Sequence, residues 1–202
     1  MRRIVFATGN QGKLKEVREI LSGLDVEVVS MKDAGYDIPI DENGTSFAEN
    51  ALIKARAVAG VSHEMTMADD SGLVVDALGG EPGIYSARYM GENTSYHIKN
   101  QNIIDRLRGV SEEKRTARFV CAIACVFPDG CELTSEAAFE GSIGHEERGE
   151  NGFGYDPIFY LPERGCYSAE LDPEEKNAIS HRSKALRLMR EKLQTLESEG
   201  KL

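Results

Sequence analysis

The sequence predicts an α/β protein with a mixed sheet, arranged as one domain or two closely joined lobes. Three observations carry that prediction. β-Branched apolar runs alternate with amphipathic helical segments along the chain. The stretch "RTARFVCAIACVF" is apolar on both alternating faces, as a central strand covered on both sides must be. No repeat, low-complexity tract or composition break marks a linker. At 202 residues and 41% hydrophobic content, the chain is long enough to bury a core of its own.

The elements follow in order. "RRIVFAT" is a short β-rich run closed by the turn signal "GNQGK". "KLKEVREILSG" then sets Leu14, Val17, Ile20 and Leu21 at helical spacing, with Gly23 as the stop. "DVEVVS" reads as a second strand, and the polar "DIPIDENG" leads into the helix former "SFAENALIKARAVAG", where Ser46 and Glu49 make a capping-box pattern. Strands are expected on either side of Asp69 to Gly72, ahead of the turn-rich "GGEPG". "TSYHIKNQNIIDRLRG" is a third helix ended by Gly109, and "PDG" turns the central strand back into "CELTSEAAFEG". The glycine-punctuated "GSIGHEERGENGFGYDP" is long enough to suspect a function. A final helix carries Leu186, Met189, Leu193 and Leu196 on one stripe.

Composition narrows the function classes. A formal net charge of −10 argues against sequence-independent nucleic-acid binding, which draws on Lys/Arg-lined surfaces, but allows a small anion offset by local cations or a metal. No run approaches the roughly eighteen apolar residues of a membrane span, and "MRRIVFATGN" reads as a first strand instead of a signal peptide. The four cysteines show no CxxC or Cys/His spacing. Cys121 and Cys125 point to one face of a strand, too far apart to pair, so reduced core thiols and a cytoplasmic setting are expected.

Several stretches could carry chemistry, each with a plainer reading beside it. In "ADDSG" successive strand residues face opposite ways, so Asp69 and Asp70 address one cleft only if the backbone bends, and Gly72 makes a bend plausible. Either the pair and Ser71 cap a hairpin corner, or one carboxylate holds a divalent metal or polarises a water. "DENG", Asp41 to Gly44, offers a second carboxylate or simply an acidic approach to a helix. "TGNQGK" lies between strand and helix, where backbone amides, the helix dipole and Lys13 suit an anion; its spacing is not that of a Walker A loop, and an ordinary glycine turn is the alternative. "GFGYDP" sets aromatics between glycines, to stack on a planar ring or to anchor packing. "EEKNAISHRSKA" gathers Lys176, His181 and Arg182 around the start of the last helix, the end that disfavours cations unless an oxygen-rich ligand offsets them.

Together and in this order, "FATGNQGKLKEV", "SFAENALIKA", "ADDSGLVVDALGGEPGIYSARY", "GFGYDPIF" and "EEKNAISHR" resemble the bacterial branch of the inosine-triphosphate pyrophosphatase family, from Ile4 to about Leu188. One departure is Asn43, where the family has threonine; register with Gly44 favours Glu42 over Asp41 as the metal-facing acid. The resemblance implies an elongated mixed sheet with flanking helices, two lobes around a central cleft, a single domain over residues 1–202, and a homodimer. It implies Mg²⁺-dependent hydrolysis of ITP, dITP and XTP to the nucleoside monophosphate and pyrophosphate. Carried over by position, it assigns the phosphates to Thr8, Gly9, Asn10, Gln11, Gly12 and Lys13, and the metal to Glu42 and Asp70. Asp70 is also the proton acceptor for the attacking water, with Asp69 as an orienting partner. Ser71, Phe153, Gly154, Tyr155, Asp156, Lys176, His181 and Arg182 complete the nucleotide pocket. Phe153 or Tyr155 is expected to stack on the base, while Arg182, His181 or loop amides donate to its 6-carbonyl. Neither a membrane nor a nucleic acid is expected as partner. The rival readings are a pyrophosphatase for other modified nucleotides, such as methylated pyrimidines, and a non-catalytic nucleotide-binding regulator.

Overall fold

The computed structural model describes residues 2–201. Its strands are β1 (Arg2–Phe6), β2 (Val26–Ser30), β3 (Met65–Val75), β4 (Thr116–Val126), β5 (Glu132–Ile143), β6 (Phe159–Leu161) and β7 (Cys166–Tyr167). They form a seven-stranded sheet in the order β2-β1-β3-β4-β5-β6-β7. β1 pairs in parallel with β2 and β3, whereas β6 pairs antiparallel with β5 and β7, so the sheet is mixed, as the sequence predicts. Five α-helices join them: α1 (Gln11–Leu21), α2 (Phe47–Ser62), α3 (Tyr96–Arg106), α4 (Pro173–Ile179) and α5 (His181–Ser198).

The chain divides into two compact units. The first comprises Met1–Asp70, Cys121–Ala137 and Arg182–Leu202. Here the alternating residues Ile4 and Phe6 of β1, Met65 and Met67 of β3, and Cys121, Ile123 and Cys125 of β4 share a core with Leu14, Val17 and Leu21 of α1 and Leu186, Met189 and Leu193 of α5. Both helices present the stripes read from the sequence, and truncating any of their fully buried leucines to alanine costs about 2–5 kcal/mol. α2 buries Ala51, Ala55 and Val58 and lies against β1. All four cysteines are free thiols, and burial pushes that of Cys125 up to about 12.

The second unit comprises Ser71–Val120 and Ala138–His181. Its core joins Ile103, Ile104 and Leu107, at the end of α3, to Leu73, Val75, Phe119, Phe139 and Phe159 from the strands. The buried Arg115 donates to the carbonyls of Leu107, Ile143 and Gly144 at 2.9, 2.8 and 2.7 Å, using its fork of donors to close backbone ends.

Two local expectations are corrected. β3 runs unbroken from Met65 to Val75, so no corner separates strands at Asp69 to Gly72. Ser46 caps α2 by accepting from the Glu49 amide at 3.1 Å, but the Glu49 carboxylate turns to the amide and hydroxyl of Thr45, at 2.7 and 2.8 Å, one residue before the cap. That exposed threonine offers two donors where the cap amide offers one.

Candidate active site

At the head of α1, the Asn10 side chain accepts from the Lys13 amide at 3.2 Å, and Thr8 Oγ1 accepts from the Asn10 amide at 3.1 Å. This capping leaves the first amides of the helix, at Gln11 and Gly12, outside the helical ladder at the positive end of the dipole. Lys13 Nζ lies 3.0 and 2.8 Å from the two oxygens of Asp69. Asp69 is 2% exposed and also meets Arg182 Nε at 3.4 Å, while Arg182 Nη1 meets Glu16 at 3.2 Å. Burial pushes the Asp69 carboxyl up, but Lys13 and Arg182 outweigh it and hold the group well below the usual carboxylate range. Asp69 is thus the anchor for two cations. Arg182, expected with His181 or loop amides as a donor to a nucleobase, directs its Nε to Asp69 and its Nη1 to Glu16.

Asp70 faces the other way. Because the strand is continuous, its carboxylate emerges on the side of α2, where Asn50 Nδ2 donates to it at 3.2 Å and Lys54 Nζ at 3.1 Å. The same ammonium meets Glu42 Oε2 at 2.8 Å. One ammonium thus bridges two carboxylates that come from separate segments of the chain. Burial raises the Asp70 carboxyl above its ordinary value, although Lys54 and Asn50 pull against it. Asn50 also braces the turn before the helix. Its Oδ1 accepts from the Gly44 amide at 2.8 Å, and a Cβ at position 44 would sit 2.7 Å from that oxygen. Only glycine lets the "DENG" turn approach α2 so closely and so aim Glu42.

Among the described residues, no group of three or more His, Cys, Asp or Glu side chains could hold a metal. A pair of hard carboxylates already converging on a cation fits an ion such as Mg²⁺, which fills its shell with waters and substrate phosphates.

The second unit carries the remaining candidates. Asp156 Oδ2 accepts from the Phe153 amide at 2.8 Å and pairs with Lys176, and its Oδ1 accepts from Ser168 at 3.0 Å. Lys176 Nζ also stands 5.3 Å from the Phe153 ring centroid. Gly152, at φ +79°, permits the tight turn, since a Cβ there would run into Asp156 Oδ2. Phe153 is 62% exposed, whereas Tyr155 is buried, with its hydroxyl donating to Ser86 O at 2.7 Å and Tyr96 packed edge-on at 5.3 Å. Of the two rings expected to stack on a base, only Phe153 is presented for it. His181 stacks on Phe119 at 5.1 Å between centroids. Ser71 follows Asp70 on β3 and is partly buried.

Sequence reasoning passes over Asn50 and Lys54, taking "SFAENALIKA" as a helix alone. The available signal was a polar pair at i, i+4 beside the alanines of an otherwise buried face.

The pattern of the Ham1 family matches residues 4–192 of the chain. A Geobacillus kaustophilus protein named "dITP/XTP pyrophosphatase" is 50% identical over 186 residues, 92% of this chain and 91% of that protein. A Geobacter sulfurreducens protein of the same name is 47% identical, over 96% and 97% of the two chains. Among solved structures, a HAM1 protein from Coxiella burnetii is similar with a TM-score of 0.91 and 41% identity, covering 96% of this chain and all of that one.

Proposed function

On the premise that this chain belongs to the Ham1 family, we propose that it hydrolyses non-canonical purine nucleoside triphosphates (ITP, dITP and XTP) to the nucleoside monophosphate and pyrophosphate. The observation that carries the proposal is the convergence of Glu42 and Asp70, from two separate segments, on the single cation Lys54. In this reading Thr8 to Lys13 take the phosphates through the open amides of α1. Glu42 and Asp70 hold Mg²⁺, which when bound offsets charge on the phosphoryl oxygens.

Phosphoryl transfer asks the protein mainly for placement and charge compensation. Asp70 orients a water toward the α-phosphorus and accepts its proton. The water oxygen bonds to that phosphorus, the bond to the bridging oxygen breaks, and pyrophosphate departs. Asp69, fixed by Lys13 and Arg182, keeps its neighbour in register. Phe153 offers the base a face, while Ser71, Gly154, Asp156, Lys176 and His181 serve the nucleoside side. A single catalytic domain over residues 1–202, a homodimer and a cytoplasmic setting belong to the same reading; residues 1 and 202 lie outside the described ones.

A panel of nucleoside triphosphates, with and without Mg²⁺ and read by pyrophosphate release, tests it. Mg²⁺-dependent release from ITP, dITP and XTP, in preference to ATP and GTP, is expected. Preference for a methylated pyrimidine would move the substrate class, and absence of release from every nucleotide would leave a binding regulator.

A further inference from the structure

We propose that Asn100 is a positioning residue for the nucleotide, fixing the Phe153–Asp156 loop to α3 through the carbonyl of Gly154. The inference rests on the assignment of that loop to the substrate.

The loop is folded on itself by Asp156, but its exposed ring needs an outside reference. Phe153 stands between Gly152 and Gly154, both in the left-handed region at φ +79° and +69°. A segment hinged on two glycines takes its orientation from whatever holds its backbone. Asn100, on α3 and 1% exposed, supplies that hold: its Nδ2 donates to Gly154 O at 3.2 Å and to Glu147 Oε1 at 2.6 Å. Glu147 is itself gripped by α3, with Gln101 Nε2 at 3.4 Å and His97 Nδ1 at 2.5 Å from its other oxygen. One carboxylate thus aligns the asparagine amide, and the amide passes that alignment to the loop.

The cost of this arrangement is visible. Asn100 Oδ1 is buried and has no hydrogen-bond partner, a penalty that an apolar side chain in the same place would avoid. A residue needed only for packing has no reason to bear it. The donor pair on Nδ2 is what an apolar side chain could not supply.

The test compares Asn100→Ala with Phe153→Ala, reading KM and kcat for ITP and the Mg²⁺ concentration that gives half activity. Asn100→Ala should raise KM about three- to tenfold, the scale of one aligned hydrogen bond, with kcat and the Mg²⁺ midpoint unchanged. A KM rise accompanied by an equal fall in kcat and a shifted Mg²⁺ midpoint reports general damage and overturns the positioning role. If Phe153→Ala raises KM and Asn100→Ala does not, the positioning role falls and the loop assignment stands. If neither changes KM, the loop assignment fails and takes the inference with it. Should Asn100→Ala not fold, Glu147→Ala carries the same comparison from the surface side, and Glu147→Gln, which keeps an acceptor for Asn100, should restore KM.

Discussion

Lys54 Nζ lies 3.1 Å from an oxygen of Asp70, so a side chain of α2 stands as counter-ion to the acid proposed for the chemistry. The same ammonium holds Glu42, and it keeps two acids together that would otherwise repel. Burial disfavours its charge, yet Asp70 and Glu42 more than restore it, and Lys54 stays protonated.

Lys54→Met should therefore expose that repulsion. Removing one partner of a largely buried ion pair costs about 3 kcal/mol. The melting temperature without metal falls, while the gain on adding Mg²⁺ grows, because the ion then supplies the positive charge that Lys54 gave. The acid limb of kcat/KM should also move to higher pH, since Lys54 lowers the Asp70 carboxyl. Thermal melts with and without Mg²⁺ check the first pair of effects, and a pH profile checks the last.

Asp70→Asn keeps the shape of the side chain and both neighbours, but cannot accept a proton. Turnover of ITP should fall by about 10²–10⁴, with far-ultraviolet circular dichroism unchanged. Wild-type-like turnover would refute the assignment.

Asp69→Asn should act on the fold first. It leaves Lys13 and Arg182 without their shared carboxylate, at a cost of about 3–5 kcal/mol near neutral pH. A carboxyl held below its unfolded value contributes stability that is complete above that unfolded value and is lost as pH falls toward the folded one. The gap between wild type and Asp69→Asn should therefore be full above about pH 4 and close progressively below it. Denaturant melts across that range measure it.

Hydrolysis in ¹⁸O-enriched water locates the bond that breaks. Label should enter the nucleoside monophosphate, and its arrival in pyrophosphate would exclude attack at the α-phosphorus.

Gly44→Ala places a methyl 2.7 Å from Asn50 Oδ1 and 3.0 Å from the Asn50 amide, both on a helix that cannot yield cheaply. The turn must back away and carry Glu42 with it. A weaker Mg²⁺ requirement curve, with a several-fold higher midpoint and kcat little changed at saturating metal, is the expected result.

Periodicity made most of the fold legible. The stripes of α1 and α5, the doubly covered β4 and the strand–loop–helix opening all follow from local pattern, because burial on one or both faces writes itself into spacing. The bend expected at Asp69 to Gly72 does not form, because glycine signals a break locally while pairing along β3 is decided by neighbouring strands far away in sequence. The acids of the site were legible as exceptions to that pattern. Asn50, Lys54 and Asn100 were not, since a polar side chain on a helix looks solvated until its tertiary partner is known.

Ile4 pairs with Met65, Val5 with Thr66 and Phe6 with Met67. A slip of one residue along that ladder would turn position 69 toward α2 and position 70 toward α1 and α5, exchanging two chemically identical side chains. Each acid would then meet the other's neighbours, and Met65 and Met67 would leave the core face. Main-chain pairing several residues upstream thus decides which of the two aspartates meets Lys54 and which meets Lys13, and mutations that loosen β1 should lower activity without touching a single polar group.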